Sequence, residues 1–139
     1  MKQGKSFSEI EVGDSDQFEV LVDEKAHSDF SKLFGDFSPI HTDPEFSSKS
    51  GFKKRIGYAF FLTGLLSRFY GEHLPGGSSV CIKQEAKFVK PFYPGDSLRV
   101  RGEVVRKVNS TKFVEIKTEI FRDDGEKVFE GLGFVQIIV

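Results

Sequence analysis

The chain has 139 residues, 29% of them charged, and a formal net charge of −1. A chain of this length can build one full hydrophobic core, so we expect a single domain over residues 1–139. The balanced charge excludes attraction to nucleic acid or to an anionic membrane through overall charge. Sixteen phenylalanines and no tryptophan favour a core filled with rings over an apolar channel.

Cysteine content and hydropathy predict a soluble protein of a reducing compartment, and hence a cytoplasmic one. Cys81 is the single cysteine, so no disulfide forms within the chain. The residues up to Gly13 are polar and mixed, which does not resemble a signal peptide. The longest uncharged stretch runs from Ile56 to Ser67 and is too short to span a bilayer.

A short strand and then an amphipathic helix are predicted first. The strand ends at residues 20–22. Asp23 can cap the helix that follows, with Glu24 in the first turn, where a negative charge is favourable. Apolar residues then recur at helical spacing and predict one buried face, made of Ala26, Phe30, Leu33 and Phe34.

The next segment predicts a bend and a second helix. Gly35 suits the left-handed conformation that often ends a helix, and a proline at position 39 predicts that Ser38 is extended. The run Asp43-Pro44-Glu45 has the cap, first-turn proline and acidic residue of a helix start, and that helix is expected to end by Gly51.

A third helix is predicted over residues 57–70, and it is apolar on nearly every side. Such a helix is normally buried. A turn at Pro75-Gly76-Gly77 ends the segment. The apolar residues are Ala59, Phe60, Phe61, Leu62, Leu65, Leu66 and Phe69.

The rest of the chain alternates with period two and predicts four antiparallel strands with one apolar face. Turns at residues 94–96, 109–110 and 123–125 separate them, the last a strong hairpin signal. The fold class that follows is α+β, with a curled antiparallel sheet wrapped around the apolar helix. The inward positions are predicted to be Val80, Ile82, Ala86, Phe88, Leu98, Val100, Val104, Val114, Ile116, Thr118, Ile120, Val128, Leu132, Phe134 and Ile138.

Asp36 and His41 are the candidate catalytic pair. They lie five residues apart on a segment fixed by Gly35 and Pro39, so both side chains can reach one point. Histidine accepts and gives protons near neutral pH, and a carboxylate beside it can orient a water. Their attraction is about 4 kcal/mol in a cleft and at most about 1 kcal/mol in open solvent. The alternative is that Asp36 caps a local turn and His41 lies on the surface.

The start of the apolar helix, Ile56 to Ala59, is a second candidate. Its free N–H groups could bind a developing oxyanion, and one such donor contributes about 3–4 kcal/mol to a transition state. Every helix has such an end, so this prediction depends on the Asp36 segment packing beside it.

The remaining polar candidates carry weaker signals. Lys53-Lys54-Arg55 is expected to be a solvated loop, with a phosphate-binding site as the alternative. His27 and His73 are interpreted as surface residues, and Cys81 as a structural thiol. We find neither a phosphate-cradling glycine loop nor the spacing of a metal site in the sequence.

A resemblance to a known family rests on residues 34–44, which read Phe-Gly-Asp-Phe-Ser-Pro-Ile-His-Thr-Asp-Pro. The segment resembles the hydratase motif of MaoC-like hot-dog proteins, the (R)-specific enoyl-CoA hydratases and 3-hydroxyacyl-thioester dehydratases. The resemblance extends from about Gly13 to the end of the chain and includes the stretch Lys90 to Asp96. It implies a hot-dog fold and a homodimer whose sheets join edge to edge, with substrate tunnels near the subunit interface.

The resemblance also implies roles for individual residues. Asp36 and His41 correspond to the pair that holds and activates the catalytic water. Ala59 corresponds to the residue whose N–H binds the thioester oxygen, and Ser67 to an assisting serine on the same helix. Two positions depart from the family pattern: Ser38 stands where asparagine is usual, and Tyr58-Ala59 where His-Gly is usual.

The implied activity is the reversible addition of water to a trans-2-enoyl thioester of CoA or acyl carrier protein, giving the (R)-3-hydroxyacyl thioester. No cofactor is expected, because no hydride moves. Ser38 and Tyr58 are expected to contact or bound the substrate, with Tyr58 narrowing the mouth of the site. Their departure from the family pattern motivates one alternative, a non-catalytic acyl-thioester-binding subunit, and a hot-dog acyl-thioesterase is another.

Overall fold

The computed structural model describes residues 4–138, and within them it contains five strands and four α-helices. No helix in this range is long and apolar enough to cross a membrane. The strands are β1 (Ser15–Leu21), β2 (Ser79–Phe88), β3 (Ser97–Val108), β4 (Phe113–Arg122) and β5 (Lys127–Ile137). The helices are α1 (Glu24–Phe34), α2 (Pro39–Thr42), α3 (Pro44–Lys49) and α4 (Ala59–Arg68), with a 3-10 turn at Phe7–Glu9 and a π-helical turn at Phe69–His73.

The five strands form one antiparallel sheet in the order β1-β3-β4-β5-β2, which leaves β1 and β2 at its edges. The predicted hairpin joins β4 to β5, with Gly125 at a φ of 86°. Leu62 and Leu66 of α4 share one core with Val100 and Ile116 of the sheet, and each of the four is at most 2% exposed. The predicted α+β arrangement, an antiparallel sheet around a central helix, is confirmed.

The prediction that the central helix is buried on every side is wrong. Its buried residues are Leu62, Leu65 and Leu66, while Phe60 is 70% exposed. The sheet covers one side of α4, and residues 4–138 leave Phe60, Gly64 and Ser67 on the opposite side exposed. That opposite side becomes part of the candidate site described below.

The prediction of which β5 residues face inward is also wrong beyond Val128. Leu132 and Phe134 are half-buried, and the buried positions near them are Gly133, Val135 and Ile137. The β4–β5 register shifts between Ile120 and Phe121, so the neighbours Val128 and Phe129 are both buried. Because the inward position 133 is a glycine, the sequence shows no apolar side chain there and the alternation cannot be read from it.

Helix α1 begins where the sequence predicts, because the Asp23 side chain accepts a hydrogen bond from the backbone of its first turn. Its predicted apolar face is wrong, however. Leu33 and Phe34 are 78% and 67% exposed, whereas the buried residues of α1 are His27 and Ser31. The inner side of this helix therefore buries polar groups, while Ala26 and Phe30 of the predicted face are half-buried and Ala26 packs against the core.

The phenylalanines divide between core and surface, so the prediction of a ring-filled core holds for only part of the set. The rings of the core are Phe18, Phe69, Phe92 and Phe129. The exposed rings are Phe34, Phe37, Phe46, Phe60 and Phe88.

Candidate active site

Residues 35–43 bring the two candidate catalytic side chains together. Gly35, at a φ of 75°, ends α1 and turns the chain. Asp36 follows in a tight turn in which its Oδ1 accepts the Ser38 N–H at 3.0 Å. Pro39 then starts α2, so His41 lies on a one-turn helix and not on a loop. The turn places Asp36 Oδ2 3.9 Å from His41 Nε2.

The hydrogen bonds of His41 fix which ring nitrogen carries its proton. Nδ1 lies 2.9 Å from the Ile56 carbonyl oxygen, which can only accept, so Nδ1 is the protonated donor. In the neutral ring Nε2 then presents a lone pair toward Asp36. A carboxylate and a lone pair 3.9 Å apart cannot bond directly. One water, donating a proton to each at about 2.8 Å, satisfies both.

The carboxylate of Asp36 stays ionised. The backbone N–H of Ser38 lowers the pKa of Asp36, and the Ser38 side chain and His41 lower it further. The Asp36 side chain is 45% exposed, while that of His41 is 13% exposed. Asp36 therefore does cap a local turn through Oδ1, as one sequence interpretation holds, but Oδ2 remains directed to a largely buried His41.

Tyr58 does not narrow the mouth of the site, because it is only 3% exposed. Its hydroxyl donates a hydrogen bond of 2.6 Å to the Asp36 carbonyl. Its ring stacks on the His41 ring with centroids 4.0 Å apart, and Phe30 stacks on it at 4.5 Å. The expectation was wrong because the bend at Gly35 folds the dyad segment over this ring.

Two residues of α1 complete the layer beneath the dyad, and the sequence analysis missed both. His27, interpreted as a surface residue, is 3% exposed, and its Nε2–H donates to the His41 carbonyl at 2.8 Å. Ser31 is 5% exposed and its hydroxyl bonds to that of Tyr58. Burial lowers the pKa of His27, so the ring is neutral. Their spacing of four residues on the inner side of α1 was the available signal.

Ala59 is the first residue of α4, and no group within residues 4–138 accepts a hydrogen bond from its N–H. It follows Tyr58 directly, so this free amide is one residue from the ring that stacks on His41. The chain enters the helix through Gly57, whose N–H donates to the Phe92 carbonyl at 2.6 Å. A side chain at Gly57 would collide with the Phe92 ring, so only glycine fits this approach.

Asp36 opens into a cavity of about 520 Å³, here named the dyad cavity. Its walls come from α1, the dyad segment and the first turns of α4, and consist of Phe30, Phe34, Asp36, Phe60, Thr63 and Gly64. Three of these six residues are phenylalanines, and such a wall suits an apolar substrate. The exposed side of α4 is thus one wall of a cavity.

Ser67 and Ser38 do not line the dyad cavity. Ser67 lies one turn further along α4, in a second cavity of about 490 Å³ that also contains Tyr70 and Gln84. Phe60 and Thr63 line both cavities, so the two adjoin. Ser38 is exposed at the start of α2 and acts on Asp36 through its backbone N–H.

Two residues of the basic run before α4, Lys54 and Arg55, contact other side chains. Arg55 pairs with Glu24 of α1, and the Lys54 ammonium lies 5.6 Å from the centre of the Tyr93 ring. Lys53 and Lys54 are exposed, which agrees with a solvated loop.

Comparison of the sequence with known proteins assigns this chain to a family. Residues 10–123 match the MaoC-like domain. The chain is also 31% identical to the 3-hydroxybutyryl-CoA dehydratase of Methylorubrum extorquens over 134 residues, covering 94% of this chain and 83% of the relative. The chain belongs to the MaoC-like family. The predicted resemblance is therefore confirmed.

Two (R)-hydratases also resemble this chain in sequence and in structure. The (R)-specific enoyl-CoA hydratase of Aeromonas caviae is 27% identical over 132 residues, covering 95% of this chain and 98% of that protein. The solved (R)-hydratase from A. caviae superposes with a TM-score of 0.87 at 27% identity, covering 92% of this chain and 97% of the other. An R-hydratase from Pseudomonas aeruginosa superposes with a TM-score of 0.89 at 27% identity, covering 96% of this chain and 86% of the other. The predicted hot-dog fold is confirmed.

Proposed function

We propose that this MaoC-like protein reversibly hydrates trans-2-enoyl thioesters to (R)-3-hydroxyacyl thioesters. The observation that carries the proposal is the facing of Asp36 Oδ2 and His41 Nε2, two proton acceptors 3.9 Å apart. Of the two, Asp36 lines the dyad cavity. That spacing suits one water held by both groups. The relatives named as hydratases and dehydratases support the same reaction.

The proposed chemistry begins with the bound water. His41 Nε2 takes one proton from it while the oxygen bonds to C3 of the enoyl group, and Asp36 orients the water and stabilises the imidazolium that forms. The electron pair of the C2–C3 double bond moves to C2 and onto the thioester oxygen. Asp36 and His41 together then return the proton to C2. The water is thereby added across the double bond, and the enzyme regains its starting state.

The oxyanion that develops during this step needs a donor. In the proposal the Ala59 N–H, which has no acceptor within residues 4–138, holds the thioester oxygen. The N-terminus of α4 adds a favourable partial charge. One such donor contributes about 3–4 kcal/mol to the transition state. Tyr58 is buried beneath the dyad, so it no longer supports the alternative of a non-catalytic acyl-binding subunit, which is left with Ser38 and Ala59 as its motivation.

The proposed substrate is an acyl thioester of CoA or acyl carrier protein. The apolar wall of the dyad cavity receives the first carbons of the acyl group, and the second cavity continues the space past Phe60 and Thr63. A role in fatty acid metabolism follows from such a substrate. The location, cytoplasmic by the sequence argument, stays a prediction.

The proposed active form is a homodimer joined through the β2 edges. β2 is an edge strand of the sheet, and it exposes Val80, Ile82 and Phe88 at 45%, 55% and 40%. Phe88 contacts the exposed Phe60 ring of the dyad cavity at 5.8 Å between centroids. An unpaired apolar edge is normally covered, and a second copy would cover it beside the site. Light scattering coupled to size exclusion measures the mass directly.

The central test is loss of the enoyl-thioester absorbance on addition of purified protein. A series from crotonyl to dodecenoyl thioesters, on CoA and on acyl carrier protein, gives the chain length and carrier. Chiral analysis of the product should show the (R)-alcohol. Tight acyl-thioester binding without turnover across the series would instead support the binding-subunit alternative, and thiol release from saturated acyl thioesters would support a thioesterase.

A further inference from the structure

We propose that Tyr58 is the positioning residue of this site, supported by His27 and Ser31 from α1. In this role Tyr58 fixes Asp36 and His41 against the N-terminus of α4 without touching the substrate. None of the three lines the dyad cavity. The inference rests on the proposed function for its kinetic consequences, but its geometric content can be measured without activity.

Tyr58 contacts every part of the proposed machinery. Its hydroxyl donates to the Asp36 carbonyl at 2.6 Å, and its ring stacks on His41 at 4.0 Å. Its own carbonyl carbon bonds to the Ala59 nitrogen, the proposed oxyanion donor. One residue thus ties the carboxylate and the base through its side chain, and the oxyanion amide through its backbone.

The Ser31 hydroxyl is the second polar contact of the Tyr58 hydroxyl. The tyrosine hydroxyl has one proton, which goes to the Asp36 carbonyl, because a carbonyl can only accept. The single proton of Ser31 can go either to the Tyr58 oxygen or to the His27 carbonyl, 3.2 Å away, but not to both at once. Ser31 is thus a donor available to the tyrosine oxygen, and it ties Tyr58 to α1.

His27 performs the matching task for the second dyad residue. Its Nε2–H holds the His41 carbonyl at 2.8 Å, while the Ile56 backbone holds His41 from the other side: its carbonyl accepts the Nδ1–H, and its N–H donates to the Ile40 carbonyl at 3.2 Å. The ring of His27 also packs on Tyr58 at 4.9 Å. Both dyad residues are thus held by their backbone carbonyls from one buried layer.

This layer exceeds what burial alone requires. Apolar side chains of the same volume would fill the junction at less desolvation cost. Hydrogen bonds to the two carbonyls instead fix the separation of Asp36 and His41, and misplacement by about 1 Å costs roughly 100-fold in rate. The expected consequence of losing a bond here is a lower kcat with little change in KM.

The test compares Tyr58→Phe with Tyr93→Phe, which makes the same chemical change in a buried tyrosine outside the site. Tyr58→Phe keeps the ring stacked on His41 and removes only the hydroxyl. We expect kcat to fall by about tenfold or more while KM changes by less than about twofold, and Tyr93→Phe to leave both unchanged. A Tyr58→Phe enzyme with the parental kcat and only a lower melting temperature would refute the positioning role.

His27 offers a conservative rescue. His27→Gln retains a side-chain N–H near the position of Nε2, whereas His27→Phe retains the ring and loses the donor. We expect His27→Gln to keep a larger share of the parental kcat than His27→Phe. Equal kcat values for the two variants, each shown to be folded by circular dichroism, would contradict the role of the donor.

A measurement without substrate separates this inference from the proposed function. Crystal structures of the parental protein and of Tyr58→Phe give the distance between Asp36 Oδ2 and His41 Nε2. We expect 3.9 Å in the parental protein and a displaced Asp36 carboxylate in Tyr58→Phe, because the Asp36 carbonyl has lost its donor. If the parental protein hydrates no enoyl thioester, the proposed function fails while this distance still decides the positioning role. An unchanged distance in Tyr58→Phe overturns the inference.

Discussion

The two sides of α4 are buried in different ways. Toward the sheet, Leu62 of α4 and Phe69 of the turn that follows it are at most 1% exposed and contact apolar side chains. At its N-terminus, His27 and Tyr58 are each 3% exposed, but each donates a hydrogen bond to a backbone carbonyl of the dyad, and their rings pack 4.9 Å apart. Apolar packing specifies volume and tolerates repacking, whereas hydrogen bonds specify direction. The sheet side therefore provides stability, and the polar junction provides geometry.

The largest expected effect is on the catalytic rate, in variants of Asp36 and His41, the two residues that the polar junction holds in place. His41→Ala removes the proposed base, and Asp36→Asn removes the charge while keeping an oxygen that can accept the Ser38 N–H. Each should lower kcat/KM by about 10²- to 10⁴-fold with little change in the melting temperature. Asp124→Asn, at the exposed β4–β5 turn, serves as the matched control. Near-parental rates in either dyad variant would exclude the assigned roles.

The apolar side should show the reverse pattern. Phe69 is fully buried, so Phe69→Ala leaves a cavity and should lower the free energy of unfolding by about 3–5 kcal/mol. Urea denaturation measures this loss. Under conditions where the variant remains folded, its kcat should stay close to parental. A large fall in kcat there would show that the two sides of α4 are not separable.

A smaller effect is expected where the sheet meets the end of the helix. A methyl group at position 133 would sit 2.1 Å from the Tyr70 hydroxyl oxygen, which is itself held by Gln84. Gly133→Ala should cost about 1–3 kcal/mol of unfolding free energy. Removing the hydroxyl in the double variant Gly133→Ala with Tyr70→Phe should recover part of that loss. Strict additivity of the two single changes would contradict the close contact.

The smallest expected effect is a pH dependence of stability from the polar junction. Burial lowers the pKa of His27 below its ordinary 6.5, although the hydrogen bond to the His41 carbonyl raises it and Arg55 and Glu24 act in opposite directions. Below about pH 6.5 the unfolded chain therefore binds more protons than the folded one, and stability falls until folded His27 is protonated too.

His27→Gln cannot titrate and isolates this contribution. Between about pH 7 and pH 5, its unfolding free energy should fall less than that of the parental protein. Chemical denaturation at several pH values gives the two curves. Parallel curves would mean that His27 titrates alike in the folded and unfolded chains.

Periodicity predicted the buried faces of β3 and β4 well, but the prediction for β2 is wrong, since its predicted inward residues Val80, Ile82, Ala86 and Phe88 are all exposed. The strands β2 to β5, their turns and the core positions of β3 and β4 follow from alternation, because successive side chains of a strand point to opposite faces of the sheet. The inward side of β5 could not be predicted, since a register shift and Gly133 interrupt the pattern. Glycine at such a position is understandable only once the Tyr70 hydroxyl is seen against it.

The candidate site divides in the same way. Asp36 and His41 could be singled out because glycine and proline fix the bend locally, within one short segment. His27 and Tyr58 lie 14 and 17 residues from His41 in the sequence, too far for any local pattern to join them. His27 was interpreted as a surface residue and Tyr58 as a residue at the mouth of the site, and Ser31 was not singled out.

By itself, the sequence determined the elements and the chemical pair, since backbone propensity and side-chain alternation act over a few residues. The tertiary structure decided which groups surround that pair. Buried polar groups must find partners wherever the fold brings a donor and an acceptor together. That pairing between α1, the dyad segment and the start of α4 is a property of the packed chain and of no single stretch of it.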